Sequence, residues 1–461
     1  MKKNNLKILL TLFFSILWSE AKCMQSDSPH LRSEPGILPE KTANVMSKLE
    51  NYVLQPIGST GIETLLSSPQ ESSERPMERE EFLERSKSNT LKFKQERKRK
   101  WWSPDDSTLD IDYYTKLHSE EEGVTYFTGL SIDGGGFRGV IPALLLQKLN
   151  QCTNRMPYEL FDVIGGTSIG GILALGLATP NWNKTNKPLA TIDPLIELFT
   201  QKGREIFPQR YKYNPLRVID KISETRCVKY DHKPLENLLK AKLGDTGLHN
   251  MKTRVVIPAV KTSGSYPETY VFNSNTAKYV WAQKNINIPL WEVGRSTSAA
   301  PVYFPGHTLS YQSDTHLIDG GVWLNNPSAL VAQDIYKYSR QESMFVSPGN
   351  ILLLSLGTGY SSVQEQIGYN VGWTNVAKPL INTMFETASA GVHKSLEDLW
   401  DAGLYRRVNP ELDKHIELDD IDSLAFLTAK AQTKFEEIET LVAEGMLRKV
   451  LESDYISHKN L

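Results

Sequence analysis

The chain has 461 residues, 40% hydrophobic and 23% charged, with a formal net charge of −2. That composition suits a globular protein with a buried core, and the near-balanced charge gives no overall field for nucleic acid. Three cysteines, Cys23, Cys152 and Cys227, exclude a zinc cluster and a disulfide framework while leaving room for one bridge.

Residues 1–21 have the three parts of a cleavable export signal. Lys2, Lys3 and Lys7 give a positive start, Ile8 to Trp18 is apolar, and Ser19-Glu20-Ala21 ends on a small residue. The apolar run is short for a membrane span, which needs about 20 residues; an uncleaved anchor is the alternative. Cys23 is poorly placed for lipid attachment, because Lys22 stands where a small residue is needed. The start of the chain therefore predicts an exported protein, secreted or held in the cell envelope. Residues 22–100 are rich in Ser, Glu, Pro and Lys and read as linker or disorder, with short helical stretches at Thr42 to Leu54 and Ile62 to Leu66. A basic run, Lys92 to Lys100, then meets Trp101 and Trp102. Such a pairing suits a membrane surface. No amphipathic period accompanies it, so the simpler reading is a solvated tether whose two Trp pack on the next domain.

From Val124 onward, apolar runs of strand length alternate with helical segments. Strands are expected at Val124 to Ile132, Leu160 to Ile164, Arg254 to Val260, Thr269 to Asn273 and Ile351 to Ser355. Helices are expected at Val140 to Leu149, Gly171 to Ala178 and Leu235 to Lys242. The alternation predicts an α/β domain with a mostly parallel sheet. From Ser423 to Glu452, Leu424, Leu427, Phe435, Ile438, Leu441, Val442, Met446 and Val450 recur at helical spacing. The domain is expected over 125–393, with 394–461 as a helical extension packed on it.

Two glycine turns carry the chemistry. In "SIDGGGFRGV", Gly134, Gly136 and Gly139 fit the G-x-G-x-x-G spacing of a dinucleotide loop. That reading needs an acid about 20 residues further on, at the end of the second strand. The end of that strand instead holds Gly166-Thr167-Ser168-Ile169-Gly170, a G-x-S-x-G turn between strand and helix. This is the setting of a nucleophile elbow, in which Gly166 and Gly170 let strand and helix approach closely. A glycine loop beside an activated serine can offer backbone N–H groups to an oxyanion, and Arg138 would add positive charge nearby. A third stretch, "LIDGGVWLNNP", places Asp319 before Gly320 and Gly321; alone it is an ordinary turn.

D-G-G-G-x-R-G, then G-x-S-x-G, then D-G-G, in that order, resembles the patatin-like phospholipases. "YDHKPLENLLKAKLGD", "STSAAPVYFPG", "DGGVWLNNP" and "LLLSLGTG" look like further blocks of that family, and the likeness runs from about Gly129 to His393. The resemblance implies a three-layer α/β fold with a mostly parallel central sheet flanked by helices. It implies Ser168 as nucleophile, Asp319 as its dyad partner, and Gly134, Gly135, Gly136, Arg138 and Gly139 as the oxyanion loop. It further implies an acyl hydrolase acting on membrane phospholipid or a related acyl lipid, with peripheral membrane contact and no metal or organic cofactor. A Ser-His-Asp triad is the rival within hydrolases, because Ser168, Asp319 and His393 follow the chain order of α/β-hydrolases, and His307 and His316 lie near Asp319. A catalytically silent lipid-binding module is the rival outside them.

Overall fold

β1, Phe127–Ile132, is buried along its whole length, as a strand covered on both faces must be. The computed structural model describes residues 127–208, 228–341, 351–361, 377–400, 404–445 and 447–448. The signal segment, the linker, the basic run with Trp101 and Trp102, Val124 to Tyr126, Cys23 and Cys227 lie outside the described residues. Cys152 is exposed with a free thiol.

After β1 the chain turns through Gly136–Gly139 into α1, Val140–Thr153. The second strand begins later than the apolar run suggested. Pro157–Leu160 forms a helical turn, with proline at its start and the Glu159 carboxylate accepting the Met156 N–H at 2.7 Å. β2 is therefore Val163–Gly166, and it feeds α2, Ile169–Ala178. α3 (Asp193–Thr200), α4 (Lys233–Leu243), β3 (Arg254–Lys261) and β4 (Glu268–Asn273) follow. Next come α5 (Ser274–Lys284), α6 (Leu290–Thr297), β5 (His307–Leu309), β6 (Gln312–Asp319) and α7 (Ser328–Gln341). β7 (Ile351–Leu356), β8 (Tyr360–Ser361), α8 (Ala377–Leu399), β9 (Tyr405–Val408) and β10 (Glu411–Leu412) complete the strands.

β9, β7, β1, β2 and β3 are parallel neighbours, while β4, β5 and β6 add antiparallel. Side chains alternate between two apolar layers. Leu130, Ile132, Ile164 and Leu354 face the larger core with α1 and α2; Phe127, Val163, Val256 and Leu353 face the smaller one under α7. This is the three-layer α/β fold with a mostly parallel sheet that the sequence predicted.

The C-terminal stretch differs from the expected helical extension in two ways. It supplies β9, which pairs with β7 as an edge strand of the main sheet, so the domain does not close at 393. The continuous helix expected from Ser423 is broken into α9, Leu424–Gln432, and α10, Phe435–Ala443. The Thr433 hydroxyl donates back to the Lys430 carbonyl at the break. Leu427, Ala431, Ile438 and Leu441 still form one buried face, and both helices pack on α1.

Candidate active site

The register of the sheet explains how two residues 151 positions apart meet. β3 pairs with β2 as far as Val256↔Gly165, then continues past it. β6 takes up that vacated edge antiparallel, ending with Asp319 opposite Ala259. Ala259 lies three residues beyond Val256, as Ser168 lies three beyond Gly165. β2 and β6 thus run toward each other, and their C-terminal ends bring Ser168 and Asp319 together.

Ser168 has φ 54° and ψ −124°, a left-handed conformation costly for a residue with a Cβ. Its surroundings hold it there. A Cβ on Gly166 would collide with the Gly170 carbonyl, and one on Gly170 with the Ile132 carbonyl, so strand and helix approach as the elbow requires. The Ser168 N–H donates to Thr297 Oγ1 at 3.0 Å, and that hydroxyl donates to the Pro258 carbonyl at 2.7 Å. Ser168 Oγ donates to Asp319 Oδ2 at 2.6 Å, while Asp319 Oδ1 accepts the Gly321 N–H at 2.7 Å. Asp319 is fully buried. Burial raises its pKa from 3.8 to about 7, against the pull of the Ser168 hydroxyl, the Gly321 N–H and the buried Arg295 charge.

The glycine loop abuts this pair. Gly134 packs against Ser168 Cβ, but its N–H is spent on the Asn325 carbonyl at 3.1 Å. Gly135 and Gly136 have amides with no partner among the described residues, as does Ile169, the residue after Ser168. Gly136 has φ +55° against the Leu418 carbonyl, a place where only glycine fits. Gly139 abuts the Ile169 side chain and serves packing. Arg138 also departs from the expected part. It is buried, and its Nη1 donates to Glu386 Oε1 at 3.0 Å, so its charge is met inside the protein. Of the five residues expected to serve an oxyanion, Gly135 and Gly136 present backbone amides without a partner among the described residues, while Gly134 has spent its own.

Several supporting residues were not singled out from the sequence. Asp133, just before the glycines, is held by both Arg407 nitrogens at 3.2 and 2.6 Å and by the Ser389 hydroxyl at 2.6 Å. Arg407 comes from β9, and its Nη1 also donates to Ser355 Oγ at 2.8 Å. One face of α8 thereby serves both loops: Phe385 against Gly321, Glu386 on Arg138 and Ser389 on Asp133. A charged residue amid the apolar spacing of "LYRRVNP" was the available signal for Arg407.

An apolar pocket opens beside Ser168, walled by Phe137, Ile169, Phe199, Phe304 and Leu418, with a void of about 850 Å³ that includes open solvent at its mouth. Two of the candidate histidines are hydrogen-bonded elsewhere. His393 Nδ1 pairs with the Tyr405 hydroxyl at 3.1 Å, and burial and the Arg407 charge hold its pKa below the usual imidazole value. His316 Nδ1 pairs with Thr308 Oγ1 at 2.6 Å, and His307 Nε2 lies 3.9 Å from Glu292. Among the described residues no cluster of metal-ligating side chains occurs, and no helix is long and apolar enough to cross a membrane.

A three-layer α/β domain with a serine on its strand–helix elbow, set against a buried aspartate, defines an α/β protein of the nucleophile-elbow class. Residues 130–331 match the family model described as patatin-like phospholipase, so this stretch of the chain is patatin-like. Patatin-like protein 2 of Oryza sativa subsp. indica is 37% identical over 273 residues, covering 54% of this chain and 64% of that protein. Patatin-like protein 2 of Arabidopsis thaliana is 35% identical over 268 residues, covering 53% and 63%. A Solanum tuberosum protein named probable inactive patatin-3-Kuras 1 is 33% identical over 253 residues, covering 51% and 63%. The chain thus spans just under two thirds of the length of these curated relatives.

Proposed function

We propose that the protein is a lipid acyl hydrolase of the phospholipase A type, using Ser168 and Asp319 as a catalytic dyad on membrane phospholipid or a related acyl lipid. The observation that carries this reading is the 2.6 Å hydrogen bond from Ser168 Oγ to a buried carboxylate beside an apolar pocket. Ser168 attacks the ester carbonyl and Asp319 takes its proton. A carboxyl lifted to about 7 is a competent base near neutral pH, where an ordinary one is weak. The tetrahedral oxyanion is held by the Gly135 and Gly136 amides, with the Ile169 amide at the start of α2. Asp319 returns the proton to the departing alcohol, then activates water against the acyl-enzyme. The pocket walls receive the acyl chain and keep water from the carboxylate.

A triad is less well supported. Both Asp319 oxygens are engaged, one by Ser168 and one by the Gly321 N–H; His393 and His316 have hydrogen-bond partners of their own, and His307 Nε2 lies 3.9 Å from Glu292. The export reading joins this proposal: the mature chain begins near Lys22 and acts outside the cytoplasm or in the envelope, in peripheral contact with a lipid surface. N-terminal sequencing of exported protein tests it, and an intact Met1 there would refute cleavage. For the activity, purified full-length protein is incubated with mixed membrane lipids. Fatty acid release that disappears in folded Ser168→Ala is expected; release that persists in that variant would remove Ser168 from the mechanism.

A further inference from the structure

Besides Ser168, the pocket wall is mostly apolar, with Ser298, Tyr303, Trp182 and Lys242 as its polar side chains. Lys242, in the last turn of α4, is the one charged side chain among the described lining residues. Its Nζ sits 5.7 Å from the centre of the Trp182 ring and makes no ion pair with a described residue. Trp182 also lines the pocket, is 3% exposed, and has an indole Nε1 buried without a hydrogen-bond partner. The benzo edge of that ring faces Gly176 on α2, where a Cβ would meet Cζ3, so the pyrrole edge with Nε1 turns away from the helix. A buried indole N–H normally finds an acceptor. Here a cation and an unmet donor stand on one stretch of a mostly apolar wall.

Their distance from the reacting centre gives the arrangement a meaning. α2 starts immediately after Ser168, and Gly176 is eight residues along it. At 1.5 Å per residue that is about 12 Å, close to the reach of an extended chain of roughly nine carbons. An acyl group of about that length with its carbonyl at Ser168 would end near the level of Gly176, against which Trp182 packs with Lys242 beside its ring. A methyl end leaves both donors unmet, whereas an anionic oxygen there answers both.

We propose that Lys242 and Trp182 form a subsite for the carboxylate at the far end of an acyl chain, so that the enzyme selects medium-length chains bearing a terminal carboxyl group. Esters of this kind arise when unsaturated lipid chains are cleaved by oxidation. The inference rests on the acyl-hydrolase reading and specifies its substrate. The same donors could instead meet the phosphate of a lipid headgroup, and the experiment separates these sources of negative charge.

Purified full-length protein is given nonanoyl and nonanedioyl esters, matched in length and differing only in the far terminus, each on an uncharged glycerol backbone and on a phospholipid. The readout is the ratio of kcat/KM for the two chains within each variant, so a general loss of activity cancels. A ratio favouring the carboxyl-ended chain by roughly tenfold to a hundredfold is expected on both backbones, the range for a hydrogen bond to a charged group. Lys242→Met should bring the ratio near one, Lys242→Arg should keep it, and Trp182→Phe should lower it. A ratio near one in the wild type, or one untouched by Lys242→Met, would overturn the subsite. So would a Lys242 dependence that follows the phosphate and ignores the chain end. Binding of the free nonanedioic monoester to Ser168→Ala is measured alongside, with nonanoate as reference. Selective binding that depends on Lys242 without turnover would uphold the subsite while the hydrolase reading fails; turnover without selectivity would do the reverse.

Discussion

Ser168 Oγ lies 2.6 Å from Asp319 Oδ2, while His393 and His316 are hydrogen-bonded elsewhere, to Tyr405 and Thr308. Asp319→Asn should therefore be nearly inactive, with kcat down by about a hundredfold or more, the scale of a lost general base. His393→Ala, His307→Ala and His316→Ala should each keep substantial activity. Initial rates of phospholipid hydrolysis for the four variants, with thermal melting as a folding check, decide between dyad and triad. A folded histidine variant as slow as Asp319→Asn would establish a triad.

The raised pKa of Asp319 has opposite effects on rate and stability. The base must be ionised, so kcat/KM should rise with pH through about 7. The folded protein keeps a proton that the unfolded chain sheds near pH 3.8, so stability falls as pH rises and levels off above about 7. The loss from this one group is on the order of 4 kcal/mol. Asp319→Asn escapes it. Its melting temperature should be nearest wild type near pH 4 and exceed it by a margin that grows toward pH 7 and then levels off. A constant difference across that range would mean Asp319 is ionised throughout.

Gly135 and Gly136 are expected to be intolerant for two reasons that kinetics can separate. Each has an amide without a partner among the described residues, and a Cβ at Gly135 would strike Thr358 while one at Gly136 would strike the Leu418 carbonyl. Losing one oxyanion donor costs about a hundredfold to a thousandfold in kcat. Gly135→Ala, checked for folding, should lose kcat on that scale with little change in KM. A normal kcat would place the oxyanion elsewhere.

Arg407→Met should strand Asp133 as a buried charge without its partner, a change that costs about 3–5 kcal/mol. Adding Asp133→Asn removes the stranded charge, so the double variant should be more stable than Arg407→Met alone. Chemical denaturation of the wild type, two single variants and the double variant gives the coupling. Strict additivity would show that the pair does not act as a unit.

Much of the site was legible because its chemistry is local. The elbow needs glycine two positions before and after Ser168, the glycine loop needs its small residues, and Asp319 stands before a tight turn, all within short windows. The supports were hidden because they are made of distant partners. Nothing near Asp133 announces Arg407, and nothing near Arg138 announces Glu386. Gly134 looks like its neighbours in the sequence, yet its amide is taken by Asn325 from another loop. The second strand started late because Pro157 and Glu159 capped a helical turn inside an apolar run. The helix expected beyond Ser423 broke at Thr433 although its apolar period was unbroken, since packing on α1 needs only the face to continue.

Asp133 and Arg407 are 274 residues apart in the chain, which sets an order on synthesis as well as on structure. A ribosome delivers the glycine loop and Ser168 long before it delivers β9. Until then Asp133 has no counter-charge, and the edge of β7 is open. An emerging chain therefore carries Ser168 without the clasp on Asp133, and the loop beside it is fully held only when the last strand arrives. On the acyl-hydrolase proposal, a chain made beside its own cell's membranes would reach its active geometry only after β9 has been delivered.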